Sequence, residues 1–161
     1  MEPRLIALWL YLDQLGVSSD IETVSDRKRV QKAVYLGQLS GVDFGYRFGW
    51  YLMGPYSTTL TQDYYEMAEA INLGENDYQN MELRSSIRNK LDKIAPLLKK
   101  PDSVNLQDEQ WLELVASYHY LIKVRLSSNE EALNTLKEEK SLLIDYVSTA
   151  KKELTKAGLL P

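Results

Sequence analysis

At 161 residues, 44% hydrophobic and 26% charged, the chain has the size and composition of one ordinary globular domain, which excludes a disordered segment. Its formal net charge of -4 argues against a surface built throughout to attract phosphate. The absence of cysteine and the single histidine, His119, exclude a disulfide scaffold, a thiol nucleophile and multi-histidine or thiolate metal sites.

Leu5, Leu8, Trp9 and Leu12 recur at helical spacing, and Gly16 sits where that helix would stop. Asp13 interrupts the apolar stretch, and nowhere does a run approach the ~20 apolar residues of a bilayer span. With only Arg4 ahead of it, this stretch also lacks the basic region of a signal peptide, so the expectation is a cytoplasmic protein without a membrane segment. After a polar connection over Val17 to Val24, a second helix is predicted from Ser25 or Asp26 to about Ser40, with Gly41 as its stop. Asp26 suits the positive end of the helix dipole, whereas Arg27, Lys28 and Arg29 oppose it.

From Phe44 the period changes to two. Phe44, Tyr46, Phe48 and Trp50 alternate with Gly45, Arg47, Gly49 and Tyr51, which predicts a short strand that Gly54-Pro55 breaks. Thr59 and Gln62 have the spacing of a capping box for a third helix carrying Leu60, Tyr64, Met67, Ala68 and Ile71. Gly74 to Asn80 is turn-like, a candidate hairpin tip. Leu83, Ile87, Leu91, Ile94 and Leu98 mark a fourth helix, with Pro96 as a kink or early end. Pro101 to Asn105 is the one candidate for an internal boundary in a chain otherwise read as a single domain, residues 1–161. Trp111, Val115, Tyr118 and Ile122 define a fifth helix. Ser128 and Glu131 open a short one through Leu136, and Leu143, Val147, Ala150 and Leu154 make a last, stopped at Gly158. The expected fold is mainly α: about seven helices around one short strand or hairpin.

Charge is polarised along the chain. Between Arg47 and Arg84 there is no Lys or Arg, while Asp63, Glu66, Glu69, Glu75, Asp77 and Glu82 fall in that interval. Basic residues gather instead at Arg27, Lys28, Arg29 and Lys32, and again from Arg84 to Lys100. The first group is a candidate nucleic-acid-binding patch, since basic side chains contact the phosphate backbone whatever the base sequence. It reads equally as a solvated face or as a contact for an acidic protein. In the segment Arg47 to Ser57, Arg47, Trp50, Tyr51 and Tyr56 are the candidate protein-binding residues, because Trp, Tyr and Arg most often anchor interfaces. The same aromatics also suit a core. Ser57 lacks the setting of a nucleophile and fits a helix cap. Asp63, Glu66 and Glu69 read as a solvated acidic face without the loop of a cation site. His119, between Tyr118 and Tyr120, fits a hydrogen-bonded structural role. No catalytic residue, metal site or cofactor is expected.

Val30-Gln-Lys-Ala-Val-Tyr-Leu36, then Tyr46 to Trp50, then Gly54-Pro-Tyr-Ser57 with Leu60 resembles the core of two related groups, the Panacea-domain group of antitoxins and the YwgA-like group of bacterial proteins. Leu112 to Leu121 and Lys140 to Leu160, ending in Gly-Leu-Leu, look more like the YwgA-like group. The resemblance implies a winged-helix-like N-terminal part and a non-enzymatic adaptor or antitoxin-like regulator, with Gln31, Lys32, Tyr35, Gly54, Pro55, Tyr56 and Ser57 as its structural signature. The partner it implies is another protein: a toxin, a protease adaptor or a component of a phage-defence system. A nucleic-acid-binding regulator is the alternative reading, and the helices after Ser127 are candidates for core packing or for contact with a second subunit.

Overall fold

The structure, a computed structural model, describes all residues from Met1 to Pro161. Seven α-helices and one two-stranded antiparallel hairpin make up the fold, so it is mainly α, as the periodicity predicts. They run α1 (Pro3–Leu15), α2 (Val24–Gln38), β1 (Gly49–Tyr51), β2 (Gly54–Tyr56), α3 (Thr58–Asn72), α4 (Ser85–Leu98), α5 (Asp108–His119), α6 (Asn129–Glu139) and α7 (Val147–Lys156). No helix is long and apolar enough to cross a membrane.

The ends of the helices follow local chemistry. Gly16 stops α1 in the left-handed region, at φ 75°, where glycine carries no steric penalty. Thr23 and Asp26 cap the start of α2 reciprocally, and Ser128 and Glu131 do the same for α6. For α3 the cap is Ser57, whose Oγ accepts from the Leu60 N–H at 3.2 Å, rather than the Thr59–Gln62 box.

Three segments depart from the periodic pattern. The aromatic strand is shorter than predicted, because only Gly49–Tyr51 pairs, and Gly54-Pro55 lies within its partner strand instead of ending the structure. Pro55 is tolerated there because both strands of a two-stranded sheet are edges. Upstream, Phe44 packs on Tyr11 with ring centroids 4.9 Å apart, and buried Tyr46 donates to Asp63 at 2.6 Å. The turn-like stretch after Gly74 is a single 3-10 turn, Asp77–Asn80, not a hairpin, with Tyr78 stacked on Trp9 at 4.2 Å. Leu143 belongs to another 3-10 turn, Ser141–Tyr146, so α7 begins only at Val147.

At the centre lies α5, packed against α2 on one side and α7 on another. Every residue from Trp111 to Leu121 is buried, polar Glu113, Ser117 and His119 included, so α5 is enclosed all round from Trp111 onward rather than along one stripe. Trp111 satisfies its indole by donating to the Leu97 carbonyl at 3.0 Å. One cluster of 37 buried residues runs from Leu5 to Leu160 and includes Val104 in the Pro101 to Asn105 connection. α1 covers α4 and α3, and crosses α2 where Gly37 meets Tyr11.

A methyl group on Gly37 would meet ring carbons of Tyr11 at 2.7 Å, closer than real contacts allow. Gly37→Ala is therefore expected to lose about 1–3 kcal/mol of stability, the usual cost of overpacking, despite the higher helix propensity of alanine. Urea denaturation of the two proteins measures it, and an equal or higher midpoint for Gly37→Ala would refute the close crossing.

Candidate functional site

The hairpin is held by two adjacent side chains of α2. The Gln31 carboxamide accepts from the Ser57 N–H at 2.9 Å and donates to the Ser57 carbonyl, also at 2.9 Å, as a neighbouring strand would. It donates as well to Thr61 Oγ1 at 3.0 Å. One residue on, Lys32 donates to the Pro55 carbonyl at 2.6 Å. Gln31 and Lys32 are each only 1% exposed. A buried backbone carbonyl without a partner is costly, so these bonds set where the hairpin sits. Gly54 completes the fit. Its φ is 88°, and any side chain there would overlap the hydroxyl of Ser117 on α5.

Three lysines and one glutamate share the space behind the hairpin. Glu113, on α5, bridges Lys28 through Oε1 and Lys140 through Oε2, each at 2.8 Å. Lys140 also donates to the Leu52 carbonyl at 2.5 Å. Lys32 has no carboxylate within ion-pairing distance, and burial pulls its ammonium down to about 7, partly opposed by the charge of Glu113. Ser117 Oγ is buried without a hydrogen-bond partner. The site is thus rich in cations and in unused donors.

Trp50 anchors the other face of the hairpin. Its ring lies 5.0 Å from the Arg125 guanidinium and 5.6 Å from the Lys140 ammonium, both cation–π contacts, and 5.7 Å from Tyr120. Tyr51 meets Tyr56 edge-on at 5.1 Å. Tyr56 accepts from Thr61 Oγ1 at 2.5 Å. The turn between the strands is open to solvent, with Leu52 87% exposed and Tyr51 and Met53 exposed beside it. Arg47 is exposed just before β1.

The other basic candidates are engaged internally. Arg27 donates to the carbonyls of Ile21 and Glu22, and Arg29 pairs with Asp26 at 3.3 Å and Glu109 at 3.8 Å. On α3, Asp63 is buried and accepts from Tyr46 and from Arg4, which also pairs with Glu66. Asp63 and Glu66 are thus consumed by phenol and guanidinium partners. Ser57, fully used as a cap, is 1% exposed.

His119 lies two residues beyond Ser117 on α5 and is also buried. Burial holds its imidazole down to about 4, with Lys123 adding to the effect, so the ring is neutral at pH 7. Burial also raises the Tyr35 phenol, so Tyr35 keeps its proton, and its hydroxyl shares a hydrogen bond with His119 Nδ1 at 2.8 Å. α5 then widens into a π turn, Tyr120–Val124, of the kind frequent at functional sites.

Sequence reasoning placed Lys28 and Lys32 on one basic patch. It missed Glu113, Ser117 and Lys140, which belong to the hairpin's support. The signal for Glu113 was present as a charged residue inside an apolar helical run, Leu112 to Ala116, where only a paired carboxylate is stable.

Replacing Gln31 by leucine of similar bulk leaves the Ser57 N–H and carbonyl buried and unpaired. It is expected to cost about 2–4 kcal/mol in urea denaturation, whereas Ser117→Ala, removing an unpartnered hydroxyl, stays within about 0.5 kcal/mol. Equal effects would show that the clamp is not the anchor. For His119 the sign is set by its depressed value: as pH falls below about 6.5 the unfolded imidazole binds a proton first, and the folded one follows only near 4. Stability is therefore lost as pH falls from about 6.5 through 4, by up to about 3 kcal/mol from this residue. The acid slope measured for the parent should be shallower in His119→Phe.

Compared with known proteins, the chain is 27% identical over 139 residues to the uncharacterized protein YwgA of Bacillus subtilis (strain 168). The match covers 78% of this chain and 82% of YwgA. No protein-family model matches the chain. No solved structure matches it either. The chain is thus similar to YwgA over most of its length, and the Panacea-domain part of the resemblance rests on the motif residues alone.

Proposed function

We propose that the chain is a non-enzymatic binding module, of the adaptor or antitoxin-like kind, that docks a partner protein with the tip of its β-hairpin. The observation that carries this reading is an apolar turn presented on a rigid base. Leu52 is 87% exposed, yet its own carbonyl is held by Lys140 and the strand beyond it by Lys32 and Gln31. Folding alone gives no reason to expose an apolar tip so fully while fixing its backbone so firmly; an interface does, because preorganised contacts lose little entropy on binding. Apolar surface continues on both sides of the tip. Leu52 and Met53 share one cleft with Leu142, and Met53 shares a second with Val24 and Tyr65. Leu142 is 73% exposed. Arg47, Trp50, Tyr51 and Tyr56 frame this surface, Trp50 and Tyr56 mainly as supports and Arg47 and Tyr51 as exposed contacts.

The nucleic-acid reading finds less support at the start of α2 and rests on the exposed Arg84, Lys90, Lys93 and Lys99 of the second basic run. Arg27, Lys28 and Arg29 spend their charge on internal carbonyls and carboxylates, and Lys32 is buried, so the start of α2 offers few free cations to a phosphate backbone.

The test is capture of the partner from nuclease-treated host extract by the tagged wild type, repeated with Leu52→Asp, Arg47→Ala and Tyr56→Ala. A charge on a side chain this exposed should leave folding unchanged, so Leu52→Asp is expected to lose the protein that the wild type retains, by tenfold or more. Arg47→Ala and Tyr56→Ala weaken it less. Unaltered capture by folded Leu52→Asp would remove the hairpin tip from the interface, and material recovered only without nuclease would favour nucleic acid.

A further inference from the structure

On the α3 side of the hairpin lies a cavity of about 170 Å³ whose lining contains no Asp or Glu. Gln31 and Lys32 form its buried end. Arg27 and Lys28 line it nearer the surface. Tyr56, Tyr64 and Tyr65 supply aromatic walls. The neighbouring clefts differ in kind: the one on the far side of Met53 sets Glu113 and Glu139 beside Lys140, and the one under α1 sets Asp63 beside Arg4. No carboxylate lines this cavity, but Lys28 is paired with Glu113 and Arg27 with the Ile21 and Glu22 carbonyls, so Lys32 is the one lysine or arginine of the lining with neither a carboxylate partner nor more than one hydrogen bond.

The deepest cation is also the least satisfied. Gln31 spends its carboxamide on Ser57 and Thr61, whereas the Lys32 ammonium, with three donors, makes a single hydrogen bond, to the Pro55 carbonyl. A buried cation with idle donors and no carboxylate contact is destabilising by itself, and an anion in the cavity would relieve it. The volume falls below the range of roughly 300–1,000 Å³ typical of sites for drug-sized ligands, so the occupant is small.

We propose that this cavity is a binding site for a small planar organic anion of the aromatic carboxylate class, its carboxylate received by Lys32 and its ring set against the tyrosines. Met53, Val24 and Tyr65 belong both to this cavity and to the proposed docking surface, but Leu52 does not line the cavity, so substitution at Leu52 separates the two readings. Binding has a proton signature. Free Lys32 is held near 7 by burial, against the pull of Glu113 and with Lys28 and Lys140 pushing the same way as burial. An anion beside it favours the charged form, so binding at pH 8 takes up a proton.

Isothermal titration of the full chain with benzoate at pH 8, in two buffers of different ionisation enthalpy, tests the site. Benzyl alcohol serves as the neutral probe of similar shape and inorganic phosphate as the non-planar anion. The expected result is saturable benzoate binding at least tenfold tighter than either probe, with net proton uptake. Lys32→Met should lose both the binding and the proton uptake. Tyr65→Ala, at an exposed wall position that folding does not need, should weaken benzoate several-fold and keep the uptake. Leu52→Asp should bind benzoate as the wild type does, even where it fails to capture a protein. No benzoate binding, equal affinity for benzyl alcohol or phosphate, or undiminished binding by Lys32→Met would each overturn the proposal.

Discussion

The arrangement of this protein depends on two consecutive side chains of α2 acting as backbone partners for a segment more than twenty residues away. Gln31 treats Ser57 as a strand would, through one N–H and one carbonyl, and Lys32 takes the carbonyl of Pro55. A two-stranded hairpin is marginal in water by itself, and these bonds let it act as part of the helical core. They also explain why Gln-Lys occurs together with Gly-Pro-Tyr-Ser. The glutamine needs a Ser57 backbone free to pair both groups, the lysine bonds the Pro55 carbonyl, and glycine is the one residue that fits against Ser117 at φ 88°.

A second constraint is electrostatic. Burying lysines costs stability unless partners replace water, and this region buries Lys32 and Lys140 and half-buries Lys28 around a single carboxylate, Glu113. Glu113 meets two of the three, and main-chain carbonyls of the hairpin meet Lys140 and Lys32. The hairpin is thus pinned by charge-assisted bonds from two directions, one from α2 and one from the residue that ends α6. Trp50 adds a third hold by lying between Arg125 and Lys140. The result is a stiff base under an apolar tip, and beside it a cavity in which Lys32 has no carboxylate partner.

The histidine and carboxylates that could have suggested chemistry are absorbed in the same way. His119 is kept neutral and paired with Tyr35, and Asp63 ties Tyr46 to Arg4, linking the loop before β1 to α1 and α3. These pairs rigidify the connections that carry the hairpin, and each uses its polar atoms on the protein itself.

How much of this could be read along the chain depends on how local each cause is. Helix existence and most helix ends were legible, because they follow from 3.6-residue periodicity and from neighbours such as Gly16, Ser128 and Glu131 that act within one turn. The motif pairing Gln31-Lys32 with Gly54 to Ser57 was visible as a pattern, though not as a contact. What the tertiary structure alone decided is which charges face water. Arg27, Lys28, Arg29 and Lys32 look alike as a sequence, yet two end on carboxylates from α5, one on the chain before α2, and one in the interior. Likewise α5 reads as amphipathic, but is enclosed by α2 and α7, which turns Glu113 and Ser117 into interior groups. Periodicity reports a residue's angle about its own helix. The charge state and partners of a side chain depend on what lies opposite, and that is set by packing between segments far apart in the chain.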